Sequence, residues 1–197
     1  VAREHKVSPW ISMRMNDIHG VQEENPLQTS RMFRTRRDLW RKPNGYDEKN
    51  DTIRAFDYSH PEVFDFHLKI ARELIERYDA DGIECDWLRD RHNLTYLHER
   101  EKADVLTRFM REVRKLANAK ATRTGRPYSV AVRVSARLDA ATGLGTDVVR
   151  WVKDGSVDAS RRYYGLYLTM VEVQVATYED YLEKSRTGSW RTGIAKI

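Results

Sequence analysis

Three short stretches gather the residues with chemistry to offer: Asn16-Asp17-Ile18-His19, Asp86-Trp87-Leu88-Arg89-Asp90 and Ser135-Ala136-Arg137. Each follows an apolar run and precedes a polar one, so each reads as the end of a β-strand running into a loop. Together they supply carboxylates, an imidazole, guanidinium groups and an indole. Paired carboxylates can act as acid, base and nucleophile on a glycosidic bond. An indole offers a flat apolar surface to a sugar ring, and Arg and Asn donate hydrogen bonds to hydroxyls.

Side-chain alternation extends this set into the strands. In the first, Ile11, Met13 and Met15 share one face, and Ser12, Arg14 and Asn16 the other. In the second, Ile83, Cys85 and Trp87 oppose Glu84 and Asp86. In the third, Val130, Val132 and Val134 oppose Ser129, Ala131, Arg133, Ser135 and Arg137. A buried charge needs a partner, so Arg14, Glu84 and Arg133 are expected to form one ion-paired network. The catalytic candidates are Asp86, Glu84 and Asp17, and the substrate-binding candidates are Arg14, Asn16, His19, Trp87, Arg89, Arg133 and Arg137. Plainer roles compete with several of these. Glu84 and Arg133 could serve packing alone, Asp17 could cap loop backbone, and the parity of Trp87 points it toward a helical layer. Asn93-Leu94-Thr95 fits a glycosylation acceptor.

The elements that must position these residues alternate. A strand over 10–16 is followed by a long polar segment, 17–58, expected to be mostly loop with a short helix near 30–40; loops of that length tend to be functional. Ser59-His60-Pro61-Glu62 opens a helix to about Tyr78, with Val63, Phe66, Ile70 and Leu74 as its buried stripe. A strand over 82–88, a helix over 101–120 and a strand over 128–136 follow. A short helix is expected over 145–153, a fourth strand within 157–167, a helix over 178–184 and a fifth strand over 193–197.

Strand–helix alternation means a parallel sheet with crossover helices. A parallel sheet covered on both sides is apolar on both faces, whereas these strands keep one polar face. The fold class expected is therefore α/β, a parallel (β/α)8 barrel present as about five strands in a single domain spanning 1–197, with the polar faces lining the interior. Barrel enzymes work at their strands' C-terminal ends. A full barrel takes about 250 residues, and Val1 to Lys6 reads as the last turn of a helix begun upstream, so a partial barrel is expected.

The stretches Asp57-Tyr58-Ser59-His60-Pro61-Glu62-Val63 and Glu76-Arg77-Tyr78-Asp79-Ala80-Asp81-Gly82-Ile83-Glu84-Cys85-Asp86-Trp87 resemble the bacterial glycoside-hydrolase-like, family-10-like barrel proteins. Ser12 to His19 and Gly125-Arg126-Pro127 are similar to the same family. The resemblance covers about Trp10 to Asp158 and implies a barrel acting on glycans, with Asp86 at the end of the fourth strand. Family 18 chitinases share part of the pattern at Asp81, Gly82 and Asp86, but Glu84 stands where an Asp is expected and Leu88 where the catalytic Glu should be. Chitinase-type chemistry is not expected.

The bulk properties set limits. The 197 residues carry a formal charge of +5, with 33 % charged and 40 % hydrophobic residues. Basic and acidic residues are interspersed, which argues against a dedicated nucleic-acid arm. Cys85 is the single cysteine, so no internal disulfide forms, and no apolar run approaches a membrane span. The expected partner is a carbohydrate substrate, with no nucleic acid and no membrane. No cofactor and no metal are expected; a metal-dependent hydrolase using Asp17, His19 and Asp86 ranks last because no His-x-His pair is present. The rival to hydrolysis is a non-catalytic glycan-binding barrel. Nothing in the sequence fixes the sugar, the compartment or the oligomeric state.

Overall fold

A computed structural model describes residues 5, 7–21, 24–41, 54–135, 137–163 and 170–174, the last strand and 159–163 as backbone. The expected helical turn at 1–6, helix at 178–184 and strand at 193–197 lie outside these residues, apart from an exposed His5 in a short turn.

Three parallel strands form the centre: β1 (Trp10–Arg14), β2 (Gly82–Asp86) and β3 (Ser129–Ser135). Their register aligns Ser12 with Glu84 and Ala131, and Arg14 with Asp86 and Arg133. Five helices accompany them: α1 (Arg31–Thr35), α2 (Pro61–Arg77), α3 (Ala103–Thr124), α4 (Leu138–Gly143) and α5 (Val148–Lys153). The backbone of β4 (Ala159–Tyr163) continues the sheet beside β3 in parallel, and β5 (Met170–Gln174) pairs with β4 antiparallel.

This architecture corrects the barrel expectation. The chain is a small α/β domain on a three-strand parallel centre, not a partial (β/α)8 barrel of about five strands. Its sheet runs in the open order β1-β2-β3-β4-β5, and the last pairing is antiparallel, which a parallel barrel forbids. Among the described residues the polar faces of β1, β2 and β3 share one side of this sheet.

The apolar face behaves as alternation predicts. Met13, Ile83, Cys85, Val130, Val132 and Val134 are buried in one cluster with α2, α3 and α5. Trp87 is 1 % exposed there; its Nε1 donates to Met110 Sδ at 3.4 Å, and Tyr58, Phe109 and Trp151 surround its ring. Its assignment to substrate binding is thereby corrected: its parity sends it into the helical layer.

On α2 the buried face is Val63, Phe64, His67, Ala71 and Ile75, one residue round from the expected stripe, with Phe66, Ile70 and Leu74 only partly buried. His67 lies on that buried face. A polar type by sequence, it spends Nδ1 on the Val63 carbonyl at 2.9 Å and packs its ring among Phe56, Tyr58 and Phe66. At the far end of α3, Gly125 takes the left-handed conformation (φ 66°) and donates to Ala121, closing the helix as a glycine C-cap does.

The described parts of the segment 17–58, residues 17–21, 24–41 and 54–58, hold more structure than a bare loop. Ser30 caps α1 by accepting from the Phe33 amide at 3.1 Å, and Trp40 bridges to Phe56. Arg41, fully buried, donates to the Leu94 carbonyl and to Glu99, tying this segment to the loop after β2. In that loop Asn93 is fully buried and Thr95 hydrogen-bonds Asp57 and Lys102, so the glycosylation acceptor reading fails for want of an accessible Asn. No helix among the described residues is long and apolar enough to cross a membrane.

Candidate functional site

The polar face carries a chain of charge-assisted hydrogen bonds. Ser12 Oγ donates to Glu84 Oε1 at 2.8 Å. Arg133 reaches the same carboxylate at 2.7 Å and Asp86 Oδ2 at 2.8 Å. Asp86 Oδ1 accepts from the Leu88 and Arg89 amides at 3.1 and 3.0 Å. One guanidinium thus spans two carboxylates with side chains only 6 % and 1 % exposed. Burial of this kind requires such pairing. Of the expected network, Arg133 and Glu84 meet, whereas Arg14 turns to the sheet edge.

At that edge Arg14 Nη1 donates to Asp17 Oδ2 at 3.1 Å and lies 3.3 Å from His19 Nδ1. Asp17 Oδ1 accepts from the His19 amide at 3.0 Å and lies 2.5 Å from His19 Nδ1. Asp90 completes the group: one ligand-type atom from each of Asp17, His19 and Asp90 lies within 4.8 Å of the others. All of this follows from the strand ends, because β1 delivers Asp17 and His19 three and five residues after Arg14, and β2 delivers Asp90 four residues after Asp86.

The two aspartates are driven in opposite directions. Partial burial works to raise Asp17, but hydrogen bonds from the His19 amide and ring, the charge of His19 and a hydrogen bond from Arg14 overcome it and hold the carboxyl below its usual value near 3.8. Burial, then the charge of Asp17, raises Asp90 above that value, against His19, the Ile18 amide and Arg14. Asp90 Oδ2 is buried without a hydrogen-bond partner among the described residues, a setting that favours the neutral form. Divergent pairs of this kind mark acid and base assignments.

The family-model scan matched nothing, and the search of curated proteins found no match.

The other expected residues sit as follows. Asn16 is 3 % exposed; it donates to the Phe56 and His92 carbonyls, both at 2.8 Å, and accepts from the Phe56 amide, which makes it a clamp between loops. Arg137 is exposed and pairs with Asp139 at 2.5 Å. Arg89 is exposed beside the Asp86 turn. For a metal, Asp17, His19 and Asp90 offer donors suited to a divalent cation, but Asp86 is not among them, and the Arg14 guanidinium already stands against two of the three. Asp90 is the residue that alternation missed, since parity stops where the strand does.

Proposed function

We propose that the protein hydrolyses glycosidic bonds, with Asp90 as proton donor and Asp17 as the ionised carboxylate. The observation carrying this is the convergence of Asp17 and Asp90 with oppositely displaced titrations at the C-terminal edge of a parallel sheet. The carbohydrate class is supported by the resemblance through Asp81-Gly82-Ile83 and Asp86-Trp87.

In the first step Asp90 gives its proton to the leaving oxygen as the C–O bond breaks, and an Asp17 oxygen bonds the anomeric carbon. In the second, ionised Asp90 takes a proton from water, whose oxygen attacks the same carbon and releases Asp17. Carboxyl groups about 5–5.5 Å apart favour this two-step course, and those about 6.5–9.5 Å apart leave room for direct attack by water. One oxygen of Asp17 and one of Asp90 lie within 4.8 Å of each other, nearer the shorter of these separations, so the two-step course is the one expected. Arg14 and His19 keep Asp17 ionised, and the Glu84–Arg133–Asp86 chain holds the strand ends in place.

The test is turnover of a glycan panel by the wild type and by D17N, D90N and D86N, with product anomers read by NMR. Losses of about 10²–10⁴-fold in D17N and D90N, with a retained product anomer in the wild type, are expected. Undiminished turnover in both variants overturns the reading, and binding without turnover by the wild type selects a glycan-binding role instead.

A further inference from the structure

Upstream of that edge the polar face holds a cavity of about 200 Å³ lined by Trp10, Ser12, Glu84, Ala131 and Arg133. Trp10 is 42 % exposed, yet it is fixed in place. Its Nε1 donates to Ser8 Oγ at 3.1 Å, and Ser8 Oγ donates to Asp81 Oδ2 at 3.0 Å. The indole lies over Gly82, where a Cβ would come within 2.7 Å of two ring carbons. A glycine at that position lets the ring lie flat against the strand.

We infer that this cavity is a sugar-binding subsite with Trp10 as its stacking platform, and that the polar face is a groove for a linear oligosaccharide. The inference rests on the hydrolytic reading above for the location of the cleaved bond, but not for the binding itself. A pinned indole presents an apolar plane. Facing it are a hydroxyl, a carboxylate and a guanidinium, which between them accept from and donate to neighbouring sugar hydroxyls. A wholly apolar ligand would desolvate the Glu84–Arg133 pair for no return, and an anion would meet the Glu84 carboxylate. A neutral ring with one apolar face and a polar rim suits both walls. The cavity is below the roughly 300–1,000 Å³ of drug-sized sites, in keeping with a single ring. Trp10 and Arg14 are four residues apart on one strand, about 13 Å at roughly 3.3 Å per residue. A ligand reaching from the indole to Asp17 is therefore an oligosaccharide and not a monosaccharide.

The experiment titrates neutral gluco-, xylo-, manno- and chito-oligosaccharides of one to six units into the full chain carrying D90N, and into the same chain with W10A or W10F added. Calorimetry and indole fluorescence report binding, and circular dichroism reports folding. For the oligosaccharide series bound, affinity is expected to rise with length. W10A should weaken the longest ligands by about tenfold, within the range of one aromatic contact, and flatten the length dependence, while W10F keeps part of it. Steady-state kinetics of W10A in the otherwise wild-type chain should show the loss mainly in KM. Unaltered length dependence in folded W10A, or no binding by any series, overturns the subsite. The two readings fail separately: active D17N and D90N enzymes with Trp10-dependent binding remove only the hydrolytic assignment, and inactive ones with Trp10-independent binding remove only the subsite.

Discussion

Asp90 owes the upward displacement of its titration to the surroundings of its oxygens and not to its residue type. Burial and the neighbouring Asp17 charge push it up while hydrogen bonds and cations pull Asp17 down. On the proposed mechanism, activity requires Asp17 ionised and Asp90 protonated. The profile of kcat/KM against pH is therefore expected to be a bell, its acid limb below the usual aspartate value and its alkaline limb above it. D90N should remove the alkaline limb; a limb unmoved by that change assigns it to another group. His67 shows the same physics in the core. Burial lowers it from its ordinary 6.5 to about 4, so between those values the unfolded chain takes up a proton that the folded chain refuses. Stability is unaffected above that window and falls as pH drops through it, by roughly 2.5 kcal/mol at about pH 4.5. Urea denaturation at pH 7.5 and 4.5 should show a smaller acid loss in His67→Phe than in the wild type, and equal losses would contradict the assignment. His67 also marks the limit of residue-type reading: a histidine at a helix position reads as polar, yet this one is core.

At the scale of elements, alternation was a reliable guide inside strands and silent beyond them. Glu84, Asp86 and Arg133 share a face because strand geometry leaves no other choice, and the register that joins them follows from parallel pairing. Asp90 and the Arg14–Asp17 contact lie past the strand ends, where no period operates. Trp10, two residues before Ser12 and so on the same face, was not among the residues expected to bind, because the alternation was read only from Ile11 onward. The α4 helix and the antiparallel β5 were not expected, because neither carries a long periodic pattern. The Glu84–Arg133–Asp86 chain also makes a cross-strand prediction. Removing the guanidinium leaves two buried carboxylates without it, and loss of one partner from a buried pair costs about 3–5 kcal/mol. Arg133→Gln should lower stability on that order, and adding Glu84→Gln should restore part of it. Additive losses in chemical denaturation of the double variant would show that the two groups are not coupled.

At the scale of the molecule, the sequence pointed to closure and the structure opened instead. One-sided polarity in β1, β2 and β3 is a local property, and it suits any sheet whose second face is kept from the helical core. Ring closure depends on pairing between the first and last strands, contacts of high sequence separation on which periodicity has no bearing. The sheet ends in an antiparallel pair, and on the polar face of its three central strands the described charges are paired internally. On the proposed reading, a bound oligosaccharide would run from the Trp10 cavity to Asp17 and Asp90 at the strand ends.

Leaving-group dependence separates proton donation by Asp90 from attack by Asp17. Turnover of aryl glycosides of the preferred sugar is measured for the wild type, D90N and D17N across phenols of differing acidity. D90N is expected to hydrolyse glycosides of acidic phenols far better than those of weakly acidic ones, because only the latter need a proton. D17N is expected to fail on all of them. Equal impairment of D90N across the series, or wild-type rates in D17N, would contradict the proposed mechanism.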